Sequence, residues 1–263
     1  MAGRIVAVLG GTMIAGATMA TAQNMSFGAN NFYISSNVTV EPITFSSYKL
    51  NRTVNASAII VGPLFGAVKE QSANLYATKL AEQGFVAISI DPAYWGVSGG
   101  EPRNAVLLDM YAESFSAAVD YLTLQEYVDR ERIGVLGICG SGSWLITAVK
   151  IDTRIKALAT VSMYDMGAAY RDEFFDFYRT SRGEFTPESS APTLTTYLTL
   201  TSAMRLINYY SLEGLNILYL RPVLFIAGTQ AHSREFAEDA YYLAAYPKEL
   251  FWVEGAGHVD LYD

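Results

Sequence analysis

Apolar and polar positions along this chain alternate between two periods. "SAIIVGP" (57–63), "FVAISID" (85–91), "RIGVLGI" (132–138), "IKALATVSMY" (155–164), "RPVLFIAG" (221–228) and "ELFWVEG" (249–255) are short apolar runs, most of them bounded by Gly, Pro or Asp. That is the pattern of strands buried on both faces. Between them, Ala73, Tyr76, Ala77 and Leu80 fall at helical spacing and Gly84 marks a stop. Leu108, Tyr111, Phe115, Val119 and Leu122 mark one face of an amphipathic helix, and Phe236, Ala240, Leu243 and Ala244 mark another. "SWLITAVK" opens a further helix, and "FYISSNVTV" (32–40) and "PITFSSYKL" (42–50) read as two earlier strands. Strands alternating with helices predict an α/β fold, a doubly wound, mostly parallel sheet with helices on both faces. The rhythm breaks over roughly residues 166 to 220, where aromatic, mixed-pattern sequence replaces a simple crossover. Two readings stay open there: an inserted helical cap, or a helical excursion that covers a sheet edge.

Composition narrows the picture. With 263 residues, 51% of them hydrophobic and 17% charged, the chain can bury the core of one α/β domain. A net charge of −8 argues against nucleic acid or an anionic membrane surface as partner. The opening stretch "MAGRIVAVLGGTMIAGATMATAQ" has a basic residue at Arg4, an apolar segment and an Ala20-Thr21-Ala22 site before Gln23. Such anatomy predicts a signal peptide over 1–22, a mature domain over 23–263 and an exported protein with no membrane anchor. The rival reading, a glycine-rich dinucleotide turn, is disfavoured by Met13 and by the lack of a suitably spaced acid. On export, Asn24, Asn37, Asn51 and Asn55 each begin a glycosylation tripeptide. The single cysteine forms no disulfide within the chain.

That cysteine sits in "GVLGICGSGSW" (134–144). A strand running into small-x-nucleophile-x-small is the pattern of a sharp strand-to-helix elbow, where larger side chains two residues either side of the nucleophile collide. Centred on Cys139 the small residues are Gly137 and Ser141; centred on Ser141 they are Cys139 and Ser143. The first register ends the strand at the right place and makes Cys139 the favoured nucleophile. The following helix N-terminus stabilises a thiolate there. His258, in the loop after the last strand, supplies a general base in the chain order nucleophile then histidine. The loop after "SAIIVGP" is placed to offer the N–H of Phe65, which with that of Gly140 forms an oxyanion hole.

Four segments carry a family resemblance: "FGAVKEQSANLYATKLAEQGFVAISIDPAYWGVSGGEPR", "YVDRERIGVLGICGSGSW", "RIKALATVSMYDMG" and "GTQAHSREFAEDAYYLAAYPKELFWVEGAGHVDLYD". Together, over roughly residues 40 to 263, they resemble the dienelactone-hydrolase-like α/β hydrolases, and within them uncharacterised hydrolases and fungal polyketide transferases. The resemblance implies the α/β-hydrolase fold and a Cys or Ser nucleophile with a His base and an acid, acting on esters, lactones or thioesters. It also implies three departures. Pro63-Leu64 stands where relatives carry His-Pro, Ala231 occupies the slot of the usual acid, and relatives continue past Asp263 into a helix that packs on the sheet. The acid then falls to Asp165, after "IKALATVSMY", or secondly to Glu235.

The expected function is hydrolysis of a small ester, lactone or thioester through Cys139, His258 and Asp165, with Phe65 and Gly140 holding the oxyanion. Acyl transfer on the same fold, or a catalytically silent protein binding a small apolar ligand, are the alternatives. His232 reads as a helix-start residue, and Glu101 with Arg103 as an ion pair. No cofactor and no metal site are predicted, and the partner is a small-molecule substrate.

Overall fold

A computed structural model describes residues 4–10, 35–44, 55–171 and 200–263. Strands β1 (Arg4–Gly10), β2 (Val38–Thr44), β3 (Ala56–Gly62), β4 (Val86–Ile90), β5 (Val128–Ile138), β6 (Ala157–Val161), β7 (Val223–Gly228) and β8 (Lys248–Val253) form one sheet in the order β2-β1-β4-β3-β5-β6-β7-β8. The six strands from β4 to β8 are parallel, and β1 and β2 add an antiparallel edge. Helices α1 (Ser72–Glu82), α2 (Leu108–Thr123), α3 (Ser141–Ile151), α4 (Met166–Ala169), α5 (Leu200–Ile207) and α6 (Arg234–Leu243) connect or cover them.

Every strand of the parallel run coincides with one of the six apolar runs. Central β4 is buried at all five positions, which is why its sequence shows no alternation. On one face Ile60, Ile88, Ile133 and Val135 pack beneath α2 and α3 through Tyr111, Phe115, Trp144 and Leu145. Ala73, Ala77 and Ala81 of α1 pack on the other face against Val61, Leu136 and Val161. Beside α1, Ile59, Leu80, Leu136, Ala159 and Ile226 line an open apolar groove of ≈520 Å³. The predicted stop at Gly84 is a left-handed turn, φ +92°.

The antiparallel edge departs from the sequence pattern. In place of a break at Pro42, one strand runs continuously from Val38 to Thr44. Proline is tolerated there because β2 lies at the sheet edge, where a missing N–H costs no ladder bond on the outer side. The rest of the two strands expected over 32–50 lies outside the described residues. β1 comes from the stretch that reads as a leader and pairs with both β2 and β4.

The segment over 166–220 is helical at its described ends, with α4, α5 and a 3₁₀ turn at Leu215–Leu218. Its centre, 172–199, lies outside the described residues. Val106 N–H donates to Ser202 Oγ at 3.0 Å, which ties α5 to the loop before α2. Among the described residues no helix is long and apolar enough to cross a membrane.

Candidate active site

The chain order reverses across the sheet between β3 and β5, and side chains beyond the carboxyl ends of these strands share a crevice. β5 ends at Ile138 and α3 begins at Ser141, so Cys139 and Gly140 form the whole connection. Cys139 takes φ +53°, a left-handed conformation that costs a non-glycine residue free energy and marks a position the surroundings enforce. Gly137 makes the turn sterically possible, since a Cβ there would lie 2.7 Å from the backbone carbonyl of Ser141. A Cβ at Gly142 would lie 2.7 Å from that of Met163.

This geometry separates the two elbow registers. Ser141 is fully buried inside the first turn of α3, and its hydroxyl donates to the carbonyl of Pro63. Cys139 stands at the turn itself. The Tyr262 hydroxyl and the backbone N–H groups of Phe65 and Gly140 favour its thiolate. Burial nevertheless dominates and pushes the thiol above its usual range. The thiolate expected at a helix N-terminus is therefore not the resting form: desolvation outweighs the three groups that favour it.

His258 is buried and reaches the same crevice from the loop after β8. A glycine makes that approach possible, because a Cβ on Gly228 would lie 2.1 Å from the carbonyl oxygen of Ala256. Gln230 N–H donates to the same oxygen at 2.9 Å, and Ser162 Oγ donates to the His258 carbonyl at 2.9 Å. Nδ1 of the imidazole pairs with the Ser233 hydroxyl, and Nε2 pairs with the Tyr262 hydroxyl at 2.6 Å. Burial, and secondarily the nearby His232 with ring centroids 4.8 Å away, pulls His258 down to about 4. Tyr262 thus stands between the sulfur and the imidazole. Its own ionisation is pushed up, by burial first and then by Cys139, so the phenol stays neutral.

The structure brings Cys139, His258, Phe65 and Gly140 together and does not bring Asp165 to them. Asp165 is the N-cap of α4, its Oδ1 accepting from the N–H groups of Gly167 at 3.1 Å and Ala168 at 3.2 Å. Glu235 is exposed on the first turn of α6. His232 is also exposed, at the start of that helix, and hydrogen-bonds Tyr164. Arg103 binds the carbonyls of Ser98 and Gly96 in place of the expected ion pair with Glu101. Sequence reasoning missed Ser233 and Tyr262. Ser233 lies two residues before Glu235, in "AHSREF", and Tyr262 four residues after His258, in "GHVDLYD", but neither position is specified by any motif.

Aromatic rings wall the crevice. Phe65 meets Trp95 with centroids 6.1 Å apart and Trp144 at 5.8 Å, and Tyr164 meets His258 edge-on at 4.9 Å. Among the described residues no group of three or more His, Cys, Asp or Glu side chains could hold a metal ion.

Comparison with known proteins places this arrangement. A family model described as PETase, PET hydrolase-like, matches residues 17–173. The uncharacterised protein PA2218 of Pseudomonas aeruginosa is 40% identical over 78% of this chain and 68% of its own length. Its crystal structure superposes with a TM-score of 0.69 at 37% identity, covering 86% of this chain and 84% of that one. Escherichia coli YcjY, also uncharacterised, is 33% identical over 86% of this chain and 89% of its own. The crystal structure of the α/β hydrolase GrgF from Penicillium sp. shares the fold, with a TM-score of 0.66 at 20% identity over 79% of this chain and 84% of that one. The curated sequence of GrgF is described as a polyketide transferase.

Proposed function

The chain belongs to the PET hydrolase-like family of α/β hydrolases, and from that premise we propose that it cleaves a small ester, lactone or thioester through an acyl intermediate on Cys139. One observation carries the reading: Cys139 stands at a left-handed elbow between β5 and α3, where the backbone N–H groups of Phe65 and Gly140 act on its sulfur. Donors fixed in that way are already aimed at the oxygen that becomes negative when the sulfur adds to a carbonyl.

The site starts neutral. His258 carries its proton on Nδ1, donated to Ser233, which leaves Nε2 to accept from Tyr262. As substrate binds, the S–H proton passes to the phenol oxygen while the phenol proton passes to Nε2, and the sulfur adds to the carbonyl carbon. The oxyanion rests on the Phe65 and Gly140 N–H groups. Collapse expels the alcohol or thiol, which takes a proton back along the same path. Water then releases the acid, with His258 again the acceptor. Ser233 orients the imidazole in place of a carboxylate, and so stabilises the imidazolium less. Where an acceptor alcohol or thiol replaces water, the same intermediate gives acyl transfer, in keeping with the name of GrgF as a polyketide transferase.

The direct test is intact-mass analysis after mixing with p-nitrophenyl acetate and with an acetyl thioester. One acetyl group on the peptide containing Cys139, absent from Cys139→Ala along with turnover, supports the reading. Unchanged turnover in Cys139→Ala overturns it. The raised thiol and the lack, among the described residues, of a carboxylate bonded to His258 favour one alternative, a silent member of the family that binds a small apolar ligand. Ligand affinity without any adduct on Cys139 would identify it. Export belongs to the same proposal, and N-terminal sequencing of the protein from its host checks it: a start at Gln23 supports export, and a start at Met1 or Ala2 overturns it.

A further inference from the structure

The mechanism leaves one buried charge pair unused. Lys69 and Asp91 have side chains only 4% and 0% exposed, and Lys69 Nζ lies 2.8 Å from Asp91 Oδ2. The backbone N–H of Lys69 also donates to Asp91 Oδ1 at 2.8 Å. From a second direction the Val97 N–H donates to Oδ2 at 3.1 Å. Gly96, at φ +51°, passes so close that a Cβ there would stand 2.3 Å from the carboxyl carbon. Glu70 Oε1 approaches Lys69 Nζ at 2.5 Å from the half-exposed side. One carboxylate at the end of β4 therefore holds two loops: the one after β3 that carries Phe65, and the one after β4 that carries Trp95.

A buried ion pair is a poor source of net stability, because desolvating both charges offsets their attraction. Its value lies in what it fixes. Between Phe65 and Lys69 the backbone has little slack. Ala67 N–H donates to the Leu64 carbonyl at 3.2 Å, Gln71 N–H to that of Val68 at 3.1 Å, and Val68 N–H to Gln71 Oε1 at 3.0 Å. These consecutive turns make the Phe65 N–H and Lys69 move as one unit. Across the crevice Trp95, tied to Asp91 through Val97 and Ser98, packs on the Phe65 ring.

We propose that Lys69 and Asp91 form a positioning pair for acyl transfer, clamping the loop after β3 so that the Phe65 N–H stays at the oxyanion. Neither residue touches substrate. This assignment rests on the reading of Cys139 as the acylated nucleophile.

The test compares Lys69→Met, Lys69→Arg and the double variant Lys69→Met/Asp91→Leu by stopped-flow acylation with p-nitrophenyl acetate. The double variant matters most, since removing both charges leaves neither orphaned and keeps the chain folded even where Lys69→Met alone does not. Expected are a melt that stays cooperative but falls below that of the wild type, because the Lys69 and Val97 N–H groups lose their acceptor, a loss of roughly a hundredfold in acylation rate and a KM within about threefold, the signature of a displaced oxyanion donor. Lys69→Arg, which keeps a cation beside Asp91, should recover much of the rate. A folded double variant that acylates at the wild-type rate, or loses rate only through KM, overturns the assignment while leaving the Cys139 reading intact. A wild-type protein that never acylates removes both.

Discussion

The depressed His258 makes the native state acid-sensitive in a way that can be worked out. Buried and neutral when folded, the imidazole titrates at about 4, against the ~6.5 of an exposed histidine in the unfolded chain. Between these values the unfolded chain binds more protons than the folded one, so stability is intact above about pH 6.5 and is lost as pH falls. The loss reaches about 2 kcal/mol at pH 5 and about 3 kcal/mol at pH 4, where the folded group itself begins to charge. Carboxylates titrate over the same range, so the comparison must be differential. Urea unfolding of the wild type and of His258→Gln, repeated from about pH 7 to pH 5, isolates the histidine. The free-energy difference between the two proteins should move by about 2 kcal/mol in favour of the variant as the pH drops. Parallel curves would refute the reasoning, because they would mean that His258 is solvated or carries a counter-charge.

Three further outcomes follow from the same geometry. Iodoacetamide should alkylate Cys139 slowly at neutral pH and faster past the ~8.5 of a free thiol, since burial holds the proton on sulfur; a plateau below that pH would show a pre-formed thiolate. Gly137→Ala should destabilise by about 2–3 kcal/mol in chemical denaturation, because its Cβ meets backbone that cannot move aside, while Gly99→Ala, with nothing within 4 Å, stays within about 0.5 kcal/mol. Ser233→Ala should lower turnover about tenfold by freeing the imidazole to rotate, whereas Asp165→Ala costs about 1 kcal/mol of helix-cap stability and spares turnover. The reverse order of turnover losses would return Asp165 to the role of acid.

Elements buried on both faces were the most legible part of the chain. A strand such as Val86–Ile90 carries one small polar residue, Ser89, in an otherwise apolar run and is buried at every position, so the run stands out as a strand without any alternation. The elbow was legible for a related reason: Gly137 and Gly142 answer to collisions with backbone and core only a few residues away or directly beneath. What sequence misjudged depends on where a side chain ends up after folding. Asp165 before "MGAA" carries the same local signal whether it caps a helix or reaches across to a histidine, and the cap prevails. Ser233 and Tyr262 acquire their places only when the loops after β7 and β8 meet at Gly228. Lys69 and Asp91 stand 22 residues apart in sequence with no shared motif, and only the parallel pairing of β3 with β4 brings them side by side. At the start of the chain, an apolar strand and an apolar leader share one composition.

The turn at Val259–Leu261 hangs from helix α1 by a bond between the Tyr76 hydroxyl and the Leu261 carbonyl, 2.7 Å long, while Val259 beside it is 59% exposed. The nucleophile, by contrast, is rooted at the end of a strand with parallel neighbours on both sides. The two halves of the site therefore differ in local opening free energy. On heating, the histidine side should detach while the sheet is still intact, so that activity should disappear at temperatures where circular dichroism still reports a folded protein. Hydrogen exchange would register the same asymmetry, with fast exchange over residues 255–262 and strong protection over 133–139.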